Sequence, residues 1–340
     1  MERQYGLDYL RAFAIILVII AHFTFTAHHR IDIIGINNSI PILVDKDWIF
    51  LLPDFYLGTY LGTYLGTLGV TIFFLTTGYL IPPMLNKYSR KEFIMNRFFR
   101  IMPTLIISMA ICFIIGIYFN NVNFNLIQLI YSCLLIYQWT DYQPISPVLW
   151  TLVIEIVFYG IVFFVGKLTK IKLYILMILI LIFLNINFNQ NLTEVLRYLP
   201  IIFTGMLVYA LEKFIISKIE FFLFFFEMLI LWRFNNLSTP YSSVSTIVLS
   251  SFIFVLFYFI FKNLKIKLMI TLSDLVYPLY LIHFTLGLTC MKILSNLTIN
   301  QNYIFIFSIL VTILSGYILH IMIEKPSISY FKRKYIKGLI

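Results

Sequence analysis

The chain has 340 residues, of which 61% are hydrophobic and only 12% charged, with a mean hydropathy of +0.94. Soluble domains carry about 25% charged residues, so a water-soluble globular fold is excluded. A net charge of +10 would suggest nucleic acid in a soluble protein, but in so apolar a chain the economical source is basic cytoplasmic loops, and no nucleic-acid partner is expected.

A helix needs about 20 mostly apolar residues to cross a hydrocarbon core of about 30 Å. Ten stretches qualify: 7–26, 67–85, 101–119, 147–166, 171–188, 196–212, 219–233, 244–261, 275–294 and 303–322. A further apolar run, 126–138, is shorter and reads as re-entrant or interfacial. The expected fold is therefore an all-α, polytopic membrane bundle of about ten transmembrane helices. It forms one domain over 1–340, with an outer loop 27–66, a cytoplasmic arginine loop 86–100 and no C-terminal soluble domain.

Placing the N-terminus inside puts 19 of the 25 Lys and Arg residues in cytoplasmic segments, as the positive-inside rule requires. Five lie in outer loops or at outer helix ends, and Arg11 lies within the first span. Counting 126–138 as a full span would move the clusters at 167–172, 213–218, 262–267 and the C-terminus outside, so both termini are expected in the cytoplasm. The first apolar run exceeds that of a signal peptide and reads as a retained anchor.

Ionisable residues inside a membrane are costly and usually face a cavity or a partner, which makes each one a functional candidate. In the first span, Arg11 and His22 are eleven residues apart; they share a helix face and stand about 16 Å apart along its axis. The same residues admit a plainer arrangement, an Asp8–Arg11 pair at i,i+3 with His22 as a satisfied polar group. The loop 27–66 ends in a tandem repeat that begins at Tyr56, Tyr60 and Tyr64 and places Gly58, Gly62 and Gly66 on one face. That pattern suits a packing helix extending the second span outward, or a tyrosine ladder for sugar.

The segment from Lys87 to Pro103 carries Arg97 and Arg100 at i,i+3. On a helix they present two guanidinium forks on one side, suited to phosphate or to anionic lipid. In the fourth span Thr151, Glu155 and Tyr159 follow i,i+4 spacing after Trp150, with Glu155 about 12 Å below the outer boundary. A carboxylate there needs a proton or a cation, so it pairs either with His22 as an acid/base couple or with an arginine. In the ninth span His283 lies near mid-depth, with Tyr280 one turn before it. Glu324 and Lys325 precede Pro326 and read as the cytoplasmic end of the last span. Cys112, Cys133 and Cys290 sit in apolar runs without CxxC or Cys/His spacing, so no disulfide framework and no metal site is expected.

Together these stretches resemble the acyltransferase 3 family, membrane proteins that move acyl groups from a cytoplasmic acyl-CoA to sugar hydroxyls or other acceptors. The resemblance rests on Leu7-Asp-Tyr-Leu-Arg11 with His22 at Arg-x10-His spacing, Gly69-Val-Thr-Ile-Phe-Phe-Leu-Thr-Thr-Gly78 and Arg97-Phe-Phe-Arg100-Ile-Met-Pro. It continues in Leu149-Trp-Thr-Leu-Val-Ile-Glu155, Tyr277-Pro-Leu-Tyr-Leu-Ile-His283 and Glu324-Lys-Pro326. Each motif alone is weak, but six in order along ten spans are specific. Three departures stand out: Thr71 replaces the family's usual acid, Thr77 its serine, and Ile156 the second glutamate after Glu155.

The resemblance implies a donor acyl-CoA, most simply acetyl-CoA, whose phosphates are held by Arg97, Arg100 and Arg11. It implies His22 as general base oriented by Glu155, with a covalent acyl-His22 as the less favoured variant. Trp150, Tyr159, Tyr280 and His283 are the expected substrate-binding residues. The expected acceptor is a lipid-linked or nascent polysaccharide, such as O-antigen, capsule or exopolysaccharide, at the outer leaflet of a bacterial cytoplasmic (inner) membrane. Two other classes answer to ten spans with buried charges. A glycan or lipid exporter would show repeat-related halves, and none is evident; a polysaccharide polymerase would need larger outer loops than 27–66.

Overall fold

The structure, a computed structural model, describes residues 4–26, 55–186, 190–235, 244–297 and 301–336. Among these residues the fold is all-helical, 85% helix without strands. In chain order the helices are α1 (Tyr5–Ala21), α2 (Phe55–Leu80), α3 (Met84–Lys87), α4 (Arg90–Asn120), α5 (Leu126–Leu134), α6 (Trp150–Val165), α7 (Lys170–Asn185) and α8 (Gln190–Leu196). There follow α9 (Leu199–Glu212), α10 (Lys218–Asn235), α11 (Val244–Ile260), α12 (Lys267–Ile282), α13 (Leu288–Ser295), α14 (Gln301–Leu319) and α15 (Lys325–Tyr335). Three π-helical turns, His22–Thr26, His283–Gly287 and His320–Glu324, follow α1, α12 and α14. Each opens on a histidine.

Among the described residues seven spans are long and apolar enough to cross a membrane: Tyr5–Thr24, Tyr64–Lys87, Arg90–Asn120, Pro147–Val165, Asn191–Glu212, Lys267–Ser295 and Asn302–Tyr335. The protein is thus a helical membrane bundle, with seven such spans rather than ten by this measure. The other three expected stretches fall on α7 with 16 residues, α11 with 17, and α10, whose 18 residues include Glu220, Glu227 and Arg233. Helix α5 has nine residues, a rise of about 13 Å, too short to cross. The tandem repeat is helical throughout, as part of α2, while 27–54 of the outer loop lies outside the described residues.

The chain divides into two compact units. The first comprises Met1–Ala14, Thr67–Ile94 and Trp150–Ile266. Helix α9 is buried along most of its length and meets α2 at a glycine seam. A Cβ on Gly78 would stand 1.8 Å from the Ile202 carbonyl oxygen, and one on Gly205 would stand 2.0 Å from that of Leu75. Only glycine allows backbones this close.

Cations gather at the helix ends of this unit. Lys172 donates to the Val165 carbonyl at 2.7 Å and Arg90 to that of Phe164 at 3.5 Å; these cations cap the negative end of α6. Lys170 pairs with Glu220 at 2.7 Å, and that hydrogen bond holds the Lys170 ammonium above its ordinary range. Tyr174 donates to the same carboxylate. The starts of α7 and α10 therefore share one end.

The second unit comprises Ile15–Gly66, Met95–Leu149 and Lys267–Ile340. Here α4 runs parallel to α12 and α13. Tyr277 donates to the Ile101 carbonyl at 2.8 Å, and further along Asn120 donates to Thr289 at 2.8 Å. The arginine segment, expected as a loop, is helical from Arg90 onward and continues through Pro103. Proline has no N–H to offer the carbonyl four residues back, and that carbonyl, Phe99, instead accepts from the Ser327 hydroxyl at 2.6 Å. The Phe99 ring packs on Tyr330, Phe331 and Tyr335, so α15 docks against the arginine end of α4.

Glu324 does not mark a helix end either. The helix passes through Pro326 into α15 by way of the π turn, and Glu324 is 2% exposed, paired with His320 at 2.7 Å. Pro326 occupies the first turn after the π segment, where its missing N–H costs little.

Candidate active site

In the second unit, α1 hands over to its π turn at His22, and α12 hands over at His283. The two imidazoles meet: His22 Nδ1 lies 2.7 Å from His283 Nε2, with the rings nearly parallel at 13°. His283 is fully buried, and its other nitrogen, Nδ1, reaches the backbone carbonyls of Tyr280 at 2.8 Å and Leu279 at 3.2 Å. A π turn inserts a residue into the helical ladder and re-aims the side chains around it, which is why such turns recur at functional sites.

Close packing fixes the two turns against each other. A Cβ on Gly287 would fall 2.0 Å from the tip of the Phe23 ring, and Phe23 is itself fully buried. Phe284 closes on His22 edge-on, with centroids 5.2 Å apart. Tyr280, expected to bind substrate, is buried and donates its hydroxyl to the Val148 carbonyl at 3.0 Å. It anchors the turn that carries His283.

In the first unit, Glu155 is half-buried on α6. Thr77 donates to its Oε1 at 3.0 Å, and Tyr159, one turn on, donates to Oε2 at 2.8 Å. Both carboxylate oxygens are thus fixed by neutral donors. Thr77 supplies the first of these hydroxyls from α2. The sequence reading set Thr77 aside as a departure and so missed this contact; its position in the Thr-Thr-Gly78 stretch was the available signal. Thr71 is buried and donates to the Thr67 carbonyl at 2.8 Å. Trp150 is half-buried at the start of α6, in an aromatic cluster with Tyr198 at 4.8 Å and Phe74 at 6.1 Å.

The expected phosphate ligands lie on two helices. Arg11 sits on α1 one turn after Asp8, half-buried. Arg97 and Arg100 are half-buried on α4, and Arg97 is steadied by the Asn96 side-chain oxygen at 2.5 and 3.2 Å. Helical geometry from Arg90 onward places these two guanidinium groups on one side of α4. Among the described residues no group of three or more His, Cys, Asp or Glu side chains could hold a metal ion.

Fold and site define a polytopic helical membrane protein whose spans carry a paired-imidazole centre and a carboxylate fixed by two hydroxyls. The family model described as an acyltransferase domain matches residues 4–321, nearly the whole chain, and the protein belongs to the acyltransferase 3 family. It is a membrane acyltransferase. No curated protein and no solved structure matches it.

Proposed function

We propose that the protein is an O-acetyltransferase that carries an acetyl group from cytoplasmic acetyl-CoA to a sugar hydroxyl of a lipid-linked or cell-surface polysaccharide in a bacterial cytoplasmic membrane. The observation that carries the reading is the His22 imidazole, held within a membrane span by a 2.7 Å hydrogen bond in a chain of the acyltransferase 3 family. A neutral imidazole has a ring-nitrogen lone pair that can take the proton from a hydroxyl.

In this reaction the acceptor oxygen attacks the thioester carbonyl while His22 takes its proton. The new C–O bond forms, the C–S bond breaks, and the imidazolium returns the proton to the departing sulfur, giving acetylated sugar and free CoA. Arg97, Arg100 and Arg11 hold the donor's phosphates through charge-assisted hydrogen bonds. Glu155, fixed by Thr77 and Tyr159, is the second catalytic group. Trp150 presents an aromatic face to the acceptor, as stacking on sugar rings requires. Ten membrane crossings with both termini cytoplasmic complete this picture.

Purified protein given labelled acetyl-CoA and candidate glycans separates the classes. Label on the glycan supports the acetyltransferase. Glycan movement across the bilayer without acetylation would point to an exporter, and chain lengthening without label to a polymerase.

A further inference from the structure

We propose that His283 is a positioning residue that holds His22 in the tautomer with its proton on Nδ1, leaving the Nε2 lone pair as the base. The inference rests on the role of His22 stated above and supplies the atom that performs it.

The argument follows the hydrogen bonds outward from the backbone. His283 Nδ1 faces the Tyr280 carbonyl at 2.8 Å and the Leu279 carbonyl at 3.2 Å. A carbonyl oxygen only accepts, so the proton at this contact belongs to Nδ1. His283 is fully buried, and burying a cation against another imidazole is costly, so the ring is neutral and its Nε2 carries no proton. Nε2 is then the acceptor in the 2.7 Å contact with His22. The donor must be His22 Nδ1–H, and a neutral His22 with its proton on Nδ1 has a bare Nε2.

Each step has a structural support. The Tyr280 hydroxyl is tied to the Val148 carbonyl at 3.0 Å, which steadies the turn whose carbonyl orients His283. The Phe23–Gly287 contact seats the two π turns. Chemically the arrangement does what a carboxylate does for the histidine of a serine hydrolase: it selects the tautomer and stabilises the imidazolium that forms, without taking the proton. The proton from the acceptor hydroxyl arrives at His22 Nε2 and leaves from Nε2 to the CoA sulfur, so Nδ1–H stays in place through the cycle.

The direct test is nitrogen NMR of 15N-histidine-labelled protein in lipid nanodiscs, with the His22 signals identified by their loss in His22→Gln. The expected spectrum has His22 Nδ1 protonated and Nε2 bare; a ring protonated on Nε2 overturns the inference. The second arm uses two substitutions. His283→Leu removes the acceptor and should lower kcat by at least about 100-fold, the scale of a lost general base, with the KM for acetyl-CoA little changed. His283→Gln offers a side-chain oxygen near the former Nε2 and should recover activity to within about tenfold of wild type, as one neutral hydrogen bond re-formed allows. Equal losses in the two variants would reduce His283 to packing and overturn the proposal. The Nδ1–H form in a protein that transfers no acetyl group would support the tautomer assignment and fault the proposed function, so the two failures are distinguishable.

Discussion

The glycine seam between α2 and α9 gives a prediction that follows from distances alone. A methyl group added at Gly78 would meet the Ile202 carbonyl oxygen at 1.8 Å, and one at Gly205 would meet that of Leu75 at 2.0 Å, whereas ordinary contact begins at 3.4 Å. Each change therefore forces the helices apart by about 1.5 Å, and overpacking of this kind costs about 1–3 kcal/mol. One separation relieves both clashes, so Gly78→Ala with Gly205→Ala should cost little more than either alone, a coupling that distant sites do not show. The displacement also stretches the 3.0 Å bond from Thr77, next to Gly78, to Glu155, so transfer activity should fall with stability. Thermal unfolding of the four proteins in detergent gives the cycle. An unchanged midpoint in Gly78→Ala, or strictly additive losses in the double variant, would refute the reasoning.

Three further outcomes follow. Thr77→Val keeps the shape and removes the hydroxyl, so acetyl transfer should drop about five- to tenfold, the scale of one net hydrogen bond, with Thr77→Ser near wild type in the same assay. Ser327→Ala leaves the Phe99 carbonyl without its donor and should lower stability by about 1 kcal/mol; in a Pro103→Ala background, which restores the helical N–H, the same change should cost less, as denaturation midpoints will read. Arg97→Ala with Arg100→Ala should raise the KM for acetyl-CoA and flatten its salt dependence, and unchanged values would remove both arginines from donor binding.

Much of the class was legible in the chain because it is written in local terms. Apolar runs and the spacing of Arg97 and Arg100 each depend on residues close in sequence, and six short motifs in order were enough to point to the family. The His22–His283 contact was not legible, since 261 residues separate the pair and nothing in either motif names the other. The π turns were hidden for a related reason: an inserted residue in a helix is favoured by tertiary packing, here Phe23 against Gly287, and leaves no periodicity of its own. Pro326 misled because proline usually stops a helix, whereas a preceding π turn lets this one continue. Thr77 was discounted for its identity when its hydroxyl was the relevant group. The number of crossings was less legible: three of the ten apolar stretches form helices of 16 to 18 residues, and hydropathy averaged over a window does not register where a helix begins and ends.

The most direct test of the account uses inside-out membrane vesicles, with labelled acetyl-CoA supplied to the exposed cytoplasmic face and label then measured on the glycan acceptor. Wild-type vesicles should acetylate the acceptor, and His22→Ala vesicles with the same amount of membrane-inserted protein should not. Wild-type levels of acetylated acceptor in His22→Ala would contradict the account.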